Sequence, residues 1–527
     1  MVEGMQVAIG KFADLYGSYS YYIGTAVVGL LVLVLVYKKL TGPKLPPGPF
    51  AWPVIGSIPH MGTQPHISLL NLSKKYGPLM YMQLGSVPHI VVQSPEIAKE
   101  VLRTQDHIWA SRPLTITGEV FFYDHQDLLF APIGPLFKLL RKTCVNALFT
   151  PKRNQQFQAV RKEMTTLFIQ NLLQECKGGK PVEVDNMLKE TNFNNISRLL
   201  YGKSYYGLKT KNTDGSLKAR EFHEIPEVWA KVAGGVIVGD YLPFLRPLDI
   251  GGCEALLKTM REEFNVFLTG VIEEHRQRVP APGTEDFVDV LLALPADDQG
   301  HRLTEIQIKS FLQDLTLGGI DTTTTGVFWP LLQLMRHPEH KKKVQEELDA
   351  VIGRDRLVDE SDLPRLPYLR ATIKEALRMP TAVPFLAPRE SLEACKIAGY
   401  DIPKGTRLIV NAYAIHNSPE FWSEPEKFDP ERFLDPKNPV KPEEFKYIPF
   451  GGGRRMCPGM DSATLIAESF LASLLHCCDL SLPKGMRPQD VDSSASFGVT
   501  LAPITPLKVV ATPRLPLKMY KDAGIAL

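Results

Sequence analysis

The sequence predicts a mostly α-helical body with small β-sheets, preceded by one N-terminal transmembrane helix. Three observations lead there. Leu15 to Tyr37 is a run of 23 positions without a charge, helix-period patterns dominate between residues 134 and 477, and strand-like runs are few and short. Strands and helices do not alternate strictly, which argues against a parallel-sheet fold. A chain of 527 residues with 44% hydrophobic and 22% charged residues has an ordinary globular balance, so wholesale disorder is excluded. The net charge of +2 supplies no basic field, and no nucleic acid is expected as a partner. Seven cysteines fit a reducing compartment better than a disulfide framework.

Taken in order, residues 1–14 form a short N-terminus, expected in the lumen, and residues 15–37 form the anchor. At about 1.5 Å per residue the uncharged run spans a ~30 Å hydrocarbon layer. Tyr16, Tyr19, Tyr21 and Tyr22 stand at one end and Tyr37 at the other, where aromatic belts lie. Lys38 and Lys39 follow directly, where a cleaved signal would carry small residues. With Lys44 they place the body on the cytosolic side by the positive-inside rule. Residues 38–49 are a basic, proline-rich hinge, and Leu45-Pro46-Pro47-Gly48-Pro49 reads as a stiff spacer. Residues 50–515 read as one large body and 516–527 as a C-terminal tail.

Within the body, Leu79 to Val92 predicts a hairpin around Gly85. Helices are predicted over Pro95–Thr104, Gly134–Ala147, Gln155–Glu175 and Glu254–Gln277. More follow over Thr304–Met335, Glu339–Ile352, Leu369–Arg378 and Asp461–Cys477. Short strands are predicted near Arg407–Asn411 and Leu507–Ala511. Two glycines and four successive threonines between Gly318 and Thr325 are poor helix formers and predict a local distortion there.

The stretch Phe450-Gly451-Gly452-Gly453-Arg454-Arg455-Met456-Cys457-Pro458-Gly459 is the most informative. Its glycines reach backbone angles closed to other residues, so the loop can fold tightly under a flat ligand. Cys457 stands just before a helix, where unpaired N–H groups and the dipole stabilise a thiolate. A phosphate loop would carry Lys and Ser or Thr after the glycines; arginines and a cysteine follow here. Alone, Cys457 reads as an ordinary buried thiol. The full pattern Phe-x-x-Gly-x-Arg-x-Cys-x-Gly resembles the haem-ligating loop of the cytochrome P450 family, whose cysteine thiolate donates electron density to iron.

Further matches stand in the family's chain order. Glu375-Ala376-Leu377-Arg378 sets a carboxylate and a guanidinium on one helix face, by itself a surface ion pair. With Pro430-Glu431-Arg432-Phe433 downstream it resembles the family's charged cluster behind the haem loop. The resemblance therefore assigns Glu375, Arg378 and Arg432 to folding and haem retention. Gly318-Gly319-Ile320-Asp321-Thr322-Thr323 resembles the family's oxygen-binding segment, which implies Asp321 and Thr322 as catalytic residues organising a proton-delivering water relay. On the residues alone, hydroxyls bonding back to helix carbonyls remain the other reading. The resemblance implies Cys457 as the axial ligand of the haem iron, with Phe450, Gly451, Gly453 and Gly459 shaping the loop. Arg141, Arg389 and Arg455 match the partners of the two propionates. The family's tryptophan four residues before the first arginine is Phe137 here, which keeps a ring and loses the indole N–H.

The motifs look most like plant microsomal members. The resemblance implies a monooxygenase that carries haem b and uses O2 and NADPH as co-substrates. Electrons would come from a separate flavoprotein, an NADPH–cytochrome reductase, because no Gly-x-Gly-x-x-Gly fingerprint or flavin module is present. It further implies a single-pass protein of the endoplasmic reticulum membrane with a cytosolic catalytic domain. The substrate expected by analogy is a small hydrophobic specialised metabolite: a phenylpropanoid, flavonoid or terpenoid. By family position its pocket draws on Val120, Phe121 and Phe122, and on Leu315 and Gly319. Ala382, Val383, Phe385 and Val499 complete it. Two rivals share the loop: a haem-thiolate isomerase or dehydratase working without NADPH, and a non-catalytic haem- or ligand-binding membrane protein. Neither needs the acid–alcohol pair. His337 and His340 read as a solvated helix start, and His476-Cys477-Cys478 as core packing.

Overall fold

Thr304 caps the helix around which the chain is built. Its hydroxyl accepts the Gln307 N–H at 3.2 Å while the Gln307 side chain accepts the Thr304 N–H at 3.0 Å. The helix then runs over Glu305–Arg336 and stops at His337, the residue before Pro338. The computed structural model describes residues 42–206, 209–211, 217–221, 224–281, 283–296, 302–437 and 439–526. The expected lumenal segment and the anchor over 15–37 lie outside those residues. Among the described residues no helix is long and apolar enough to cross a membrane.

The helices that frame the site are α1 (Pro65–Tyr76), α2 (Pro135–Thr143), α3 (Gln158–Glu175), α4 (Val184–Tyr201) and α5 (Glu224–Gly234). They are followed by α6 (Cys253–Arg276), the central α7 (Glu305–Arg336), α8 (Pro338–Ile352), α9 (Pro367–Arg378) and α10 (Met460–Cys477). The strands are β1 (Leu79–Leu84), β2 (Val87–Val92), β3 (Val182–Glu183), β4 (Arg389–Glu390) and β5 (Arg407–Val410). Near the C-terminus stand β6 (Cys478–Ser481), β7 (Ala495–Ser496), β8 (Ala502–Pro503) and β9 (Lys508–Pro513). The largest of these sheets has the order β1-β2-β5-β4, with β2 and β5 parallel and the outer pairs antiparallel. A second sheet has the order β6-β9-β3, and β7 pairs with β8.

Packing follows from α7. Its C-terminal half buries Val327, Phe328, Trp329, Leu331 and Leu332 in a core shared with α3, α8, α9 and α10. Its N-terminal half buries Phe311 and Leu312 with Phe193 of α4 and Phe264 and Leu268 of α6. Each such side chain contributes roughly 1.5–3 kcal/mol. The C-terminal tail docks too. Tyr520 is buried, and its hydroxyl meets the Cys477 carbonyl and the N–H groups of Arg514 and Leu515.

Two expectations need correction. The distortion expected at Gly318–Thr325 is absent: the helix is continuous because the helices packed on it hold its backbone, and the threonine hydroxyls bond back one turn. Thr322 donates to Gly318 O at 2.5 Å, Thr324 to Ile320 O at 2.8 Å and Thr325 to Asp321 O at 2.8 Å. Conversely, the wider π-type turn appears in two helices expected to be regular, over Glu100–Thr104 and Cys144–Leu148.

Beside the stretch that leads into the cysteine loop lies an ion network built on two fully buried charges. Glu375 and Arg378 both have 0% exposure and join through Nε–Oε2 and Nη2–Oε1 contacts of 2.8 Å. Arg432 Nε donates to Glu375 Oε1 at 2.9 Å, and Arg378 also donates to the carbonyls of His416 and Pro425 at 2.8 Å. Burial and the neighbouring Arg378 push the His416 imidazole down to about 3, so the ring is neutral. Its Nε2 accepts the Ile448 N–H at 2.9 Å, which assigns the remaining proton to Nδ1, facing Thr381 Oγ1 at 3.0 Å. Ile448 O in turn accepts the Gly451 N–H at 3.0 Å. The network thus reaches the loop through one histidine.

Breaking this network on one side strands a buried charge. Glu375→Ala is expected to lower folding stability by about 3–5 kcal/mol. Arg487→Ala, which removes an exposed pair with Asp490, is expected to leave the unfolding midpoint unchanged. Urea unfolding followed by circular dichroism checks both; equal midpoints for parent and Glu375→Ala would contradict the expectation.

Candidate active site

The loop before α10 is held from several sides. Cys457 N donates to Phe450 O at 3.0 Å and Met456 N to Gly453 O at 3.0 Å, which closes the turn. Gly451 and Gly453 take φ of +73° and +68°, the left-handed region that glycine favours. A Cβ on Gly453 would also stand 2.1 Å from Leu102 O, so no other residue fits there. Arg141 of α2 donates to Met456 O at 2.8 Å, and Arg389 of β4 donates to Gly452 O at 2.6 Å. Phe450, Gly451, Cys457 and Gly459 are half-buried.

The Cys457 thiol is pushed up by burial, against the opposing Gly459 N–H and the charge of Arg141. A metal cation at the sulfur reverses that balance by favouring the thiolate. The expectation of a thiolate stabilised at a helix start is therefore incomplete, because desolvation outweighs the N–H contribution.

Midway along α7 the burial lapses. Gly318 is exposed and Gly319, Asp321 and Thr322 are half-buried, although the turns on either side are buried. A Cβ on Gly318 would meet nothing within 4 Å, whereas one on Gly319 would meet Ile196 of α4 at 3.0 Å. Gly318, one turn before Thr322, is thus the glycine that faces open space. Asp321 Oδ2 accepts the Thr500 hydroxyl at 2.5 Å. Burial pushes the Asp321 carboxyl above the usual range, opposed by that hydrogen bond and by Lys189.

Cations crowd the rim. Arg455 donates to the carbonyls of Ala110 (2.8 Å) and Leu128 (3.1 Å), and its guanidinium lies 3.6 Å from the centre of the Phe137 ring. The phenyl ring therefore serves as a stacking platform even without an indole N–H. Arg389 pairs with Asp106 at 3.0 Å. Arg112, which sequence reasoning missed, donates to Ala387 O and Pro388 O at 2.6 Å. Nothing in Ala110-Ser111-Arg112-Pro113 marks it off from a surface arginine. Burial pushes Arg112 well down, helped by repulsion from Arg455 and Arg389; burial and Arg389 bring Arg455 down to about 9.

The nearby carboxylates do not balance these charges. Burial and mutual repulsion push Asp127 well up, and its Oδ1 has no hydrogen-bond partner. Burial pushes Asp314 up to about 7. Both accept the Leu129 N–H through Oδ2, at 3.0 and 2.9 Å. A surplus of buried guanidinium with neutral-leaning carboxyls suits a ligand bearing anionic groups. Together with a half-buried thiol and a bare helix turn facing open space, these residues fit the haem implied by the resemblance.

The expected pocket residues divide. Leu315, Val383, Phe385 and Val499 are half-buried, and Ala382 is nearly covered. Val120, Phe121 and Phe122 are buried in an aromatic core. Phe122 packs on Phe130 at 5.0 Å and Trp229 at 6.3 Å, and Phe121 meets Phe264 at 6.1 Å. Their rings back the wall and do not line an open surface.

Known proteins resemble the chain along most of its length. The family pattern described as Cytochrome P450 matches residues 46–509. A flavonoid 3',5'-hydroxylase of Crocosmia x crocosmiiflora is 37% identical over 495 residues, covering 92% of this chain and 94% of the relative. A flavonoid 3'-monooxygenase of Petunia hybrida is 37% identical over 496 residues, covering 93% and 96%. Cytochrome P450 703A2 of Oryza sativa subsp. japonica is 37% identical over 519 residues, covering 94% and 97%. Among solved structures, a zebrafish cytochrome P450 with abiraterone superposes with a TM-score of 0.71 at 26% identity, covering 86% of this chain and 100% of that one.

The Asp314 carboxyl yields a pH prediction. Its folded value of about 7 exceeds the ordinary 3.8, so between those values the native state holds a proton that the unfolded state has released. Stability therefore falls as pH rises through that window and levels off above it. Asp314→Asn, which keeps an acceptor for Leu129 N–H, is expected to flatten the decline and so to gain stability on the parent between pH 4 and 8. Unfolding midpoints across that range check it; parallel curves for the two proteins would contradict it.

Proposed function

The chain belongs to the cytochrome P450 family, and on that premise we propose that its substrate is a flavonoid or a related phenylpropanoid. It is a haem-thiolate monooxygenase that uses O2 and electrons derived from NADPH through a reductase. The observation that supports the substrate class is identity of 37% over more than nine-tenths of the chain with enzymes named as flavonoid hydroxylases. A small, largely apolar substrate suits the half-buried side chains of Leu315, Val383, Phe385 and Val499, which match the family's pocket positions.

Haem bound here supplies oxygen activation, delivering one atom of O2 to the substrate and the other to water. In our reading the Cys457 thiolate would hold the haem iron, and Gly451 and Gly453 would keep the loop thin there. Arg141, Arg389 and Arg455, joined by Arg112, would hold the two propionates. Glu375, Arg378 and Arg432 keep the loop in place from behind. Asp321 and Thr322 hold and pass protons from solvent into the space beside Gly318. Those two residues are what an isomerase or a passive haem carrier would not need.

We further read the protein as a single-pass protein of the endoplasmic reticulum membrane with a cytosolic catalytic domain and an NADPH–cytochrome reductase as partner. Residues 1–14 would be lumenal, 15–37 the anchor and 38–49 the hinge. Support comes from the uncharged run and from an exposed apolar patch. Phe50, Trp52 and Val54 are 53–65% exposed, and Phe244, Leu248 and Ile250 are 49–68% exposed. Both segments hang on the β1–β2 turn, through Gly85 N to Ile55 O (3.1 Å) and Ser86 N to Tyr241 O (2.8 Å). Such a patch beside the hinge suits a second contact with the bilayer.

Three experiments test these readings. Purified protein with reductase, NADPH and 18O2 is expected to give flavonoid or phenylpropanoid products carrying one labelled oxygen; oxidation of terpenoids alone would sink the substrate class. Deleting Met1 to Tyr37 is expected to release most of the protein from microsomes. Protease added to intact microsomes is expected to digest the body, and a protected body would overturn the orientation.

A further inference from the structure

Thr500 is buried at 3% exposure, and its hydroxyl reaches Asp321 Oδ2 at 2.5 Å across 179 residues of chain. It lies in the loop between β7 and β8, outside every motif that points to the site. Asp321 Oδ1 makes no hydrogen bond with the described residues, so one carboxylate oxygen is fixed while the other is left for water. The loop is itself anchored. Leu501 N donates to Ala382 O at 2.8 Å, and Trp329 Nε1 of α7 donates to Leu501 O at 2.9 Å. On its other side the loop meets α5, where a Cβ on Gly234 would stand 2.4 Å from the Gly498 carbonyl carbon and the Val499 nitrogen. The same helix carries Glu227, 2.7 Å from Lys189 of α4, and these two are the charged groups that face Asp321.

We propose that Thr500 is a positioning residue for proton delivery, holding Oδ2 so that Oδ1 of Asp321 is presented to water, and that contact of its loop with α5 ties this orientation to the helix that carries Glu227. The inference rests on the relay reading of Asp321. No covalent change at Thr500 is involved; the hydroxyl donates one hydrogen bond and keeps its proton. Because the same loop carries Val499 of the expected pocket, a substrate that presses on it acts on the acid group at the same time. A threonine serving only to fold the loop would leave the product formed per NADPH unchanged once the fold is preserved.

Four variants test this: Thr500→Val, Thr500→Ser, Asp321→Asn and the double Thr500→Val/Asp321→Asn. A hydrogen bond to a charged group is worth enough that Thr500→Val is expected to lose roughly tenfold in product formed per NADPH, with Thr500→Ser within about twofold of the parent. The infrared band of the protonated Asp321 carboxyl, identified by its absence in Asp321→Asn, provides a readout independent of turnover. Its midpoint is expected to move to higher pH in Thr500→Val, which loses a donor to the carboxylate, and to stay in place in Thr500→Ser. In the Asp321→Asn background Thr500→Val is expected to add no further loss. Should Thr500→Val fail to fold, Thr500→Ala carries the same comparison. A parent-like ratio and midpoint in the valine variant would overturn the proposal, as would a loss that persists in the double variant. If Asp321→Asn itself keeps the parent ratio, the relay reading fails first, and the two failures are distinguishable.

Discussion

A buried guanidinium tolerates no unpaired donor, and Arg378 imposes that constraint at the centre of this structure. With 0% exposure it must find its acceptors inside the protein, and it takes them from Glu375 on its own helix and from the carbonyls of His416 and Pro425. The first of these carbonyls ends a short helix over Ala412–His416 and the second lies in the irregular stretch that leads on to the cysteine loop, so one charge fixes α9 against both. Arg432 closes the arrangement by sharing Glu375, and Trp422 lies 5.3 Å from the Arg378 guanidinium and 6.0 Å from that of Arg432. His416 completes the transmission, since its neutral ring accepts from Ile448 just before the glycines. The start of the cysteine loop is thereby tied to the ion network, while Arg141 and Arg389 hold the loop from other sides.

A second constraint runs the other way. Along the rim of the site the chain gathers more buried positive charge than it neutralises, and the carboxyls at Asp127 and Asp314 are driven toward their neutral forms. Such an arrangement opposes folding unless anionic groups join it, which couples loading of the cofactor to stability. The loop and the rim are therefore one device: Arg455 lies two residues before Cys457 and stacks on Phe137 of α2. Arg141 of the same helix grips the Met456 carbonyl.

Much of this was legible in the sequence, for physical reasons that differ by element. The long helices α3, α6, α7, α8 and α10 stand within a few residues of their expected bounds because an apolar stripe or a cap marks each one. Helix α4 was not legible, since its buried positions include Asn192, Asn195 and Ser197, which blur the period. Cys457 and the Glu375–Arg378–Arg432 trio could be read only through the resemblance to the family's motifs, since taken alone they look like an ordinary buried thiol and a surface ion pair. Arg112, His416 and Thr500 could not be read. Each acts through a contact made only after distant segments meet, and no local pattern encodes such a meeting. The threonines after Gly318 show the limit from the other side: helix propensity predicts a break, and the surrounding helices override it.

Everything assigned to this site depends on Cys457 being the sulfur that meets iron. The most direct test is the carbon monoxide difference spectrum of the reduced protein, recorded for the parent, Cys457→Ser and Cys144→Ser. Cys144 is the instructive comparison because it is buried with its thiol pushed up, and Cys457 contributes to that shift. The parent and Cys144→Ser are predicted to show the long-wavelength band of thiolate ligation, and Cys457→Ser to lose it. A Cys457→Ser protein that kept the band would contradict the account at its centre.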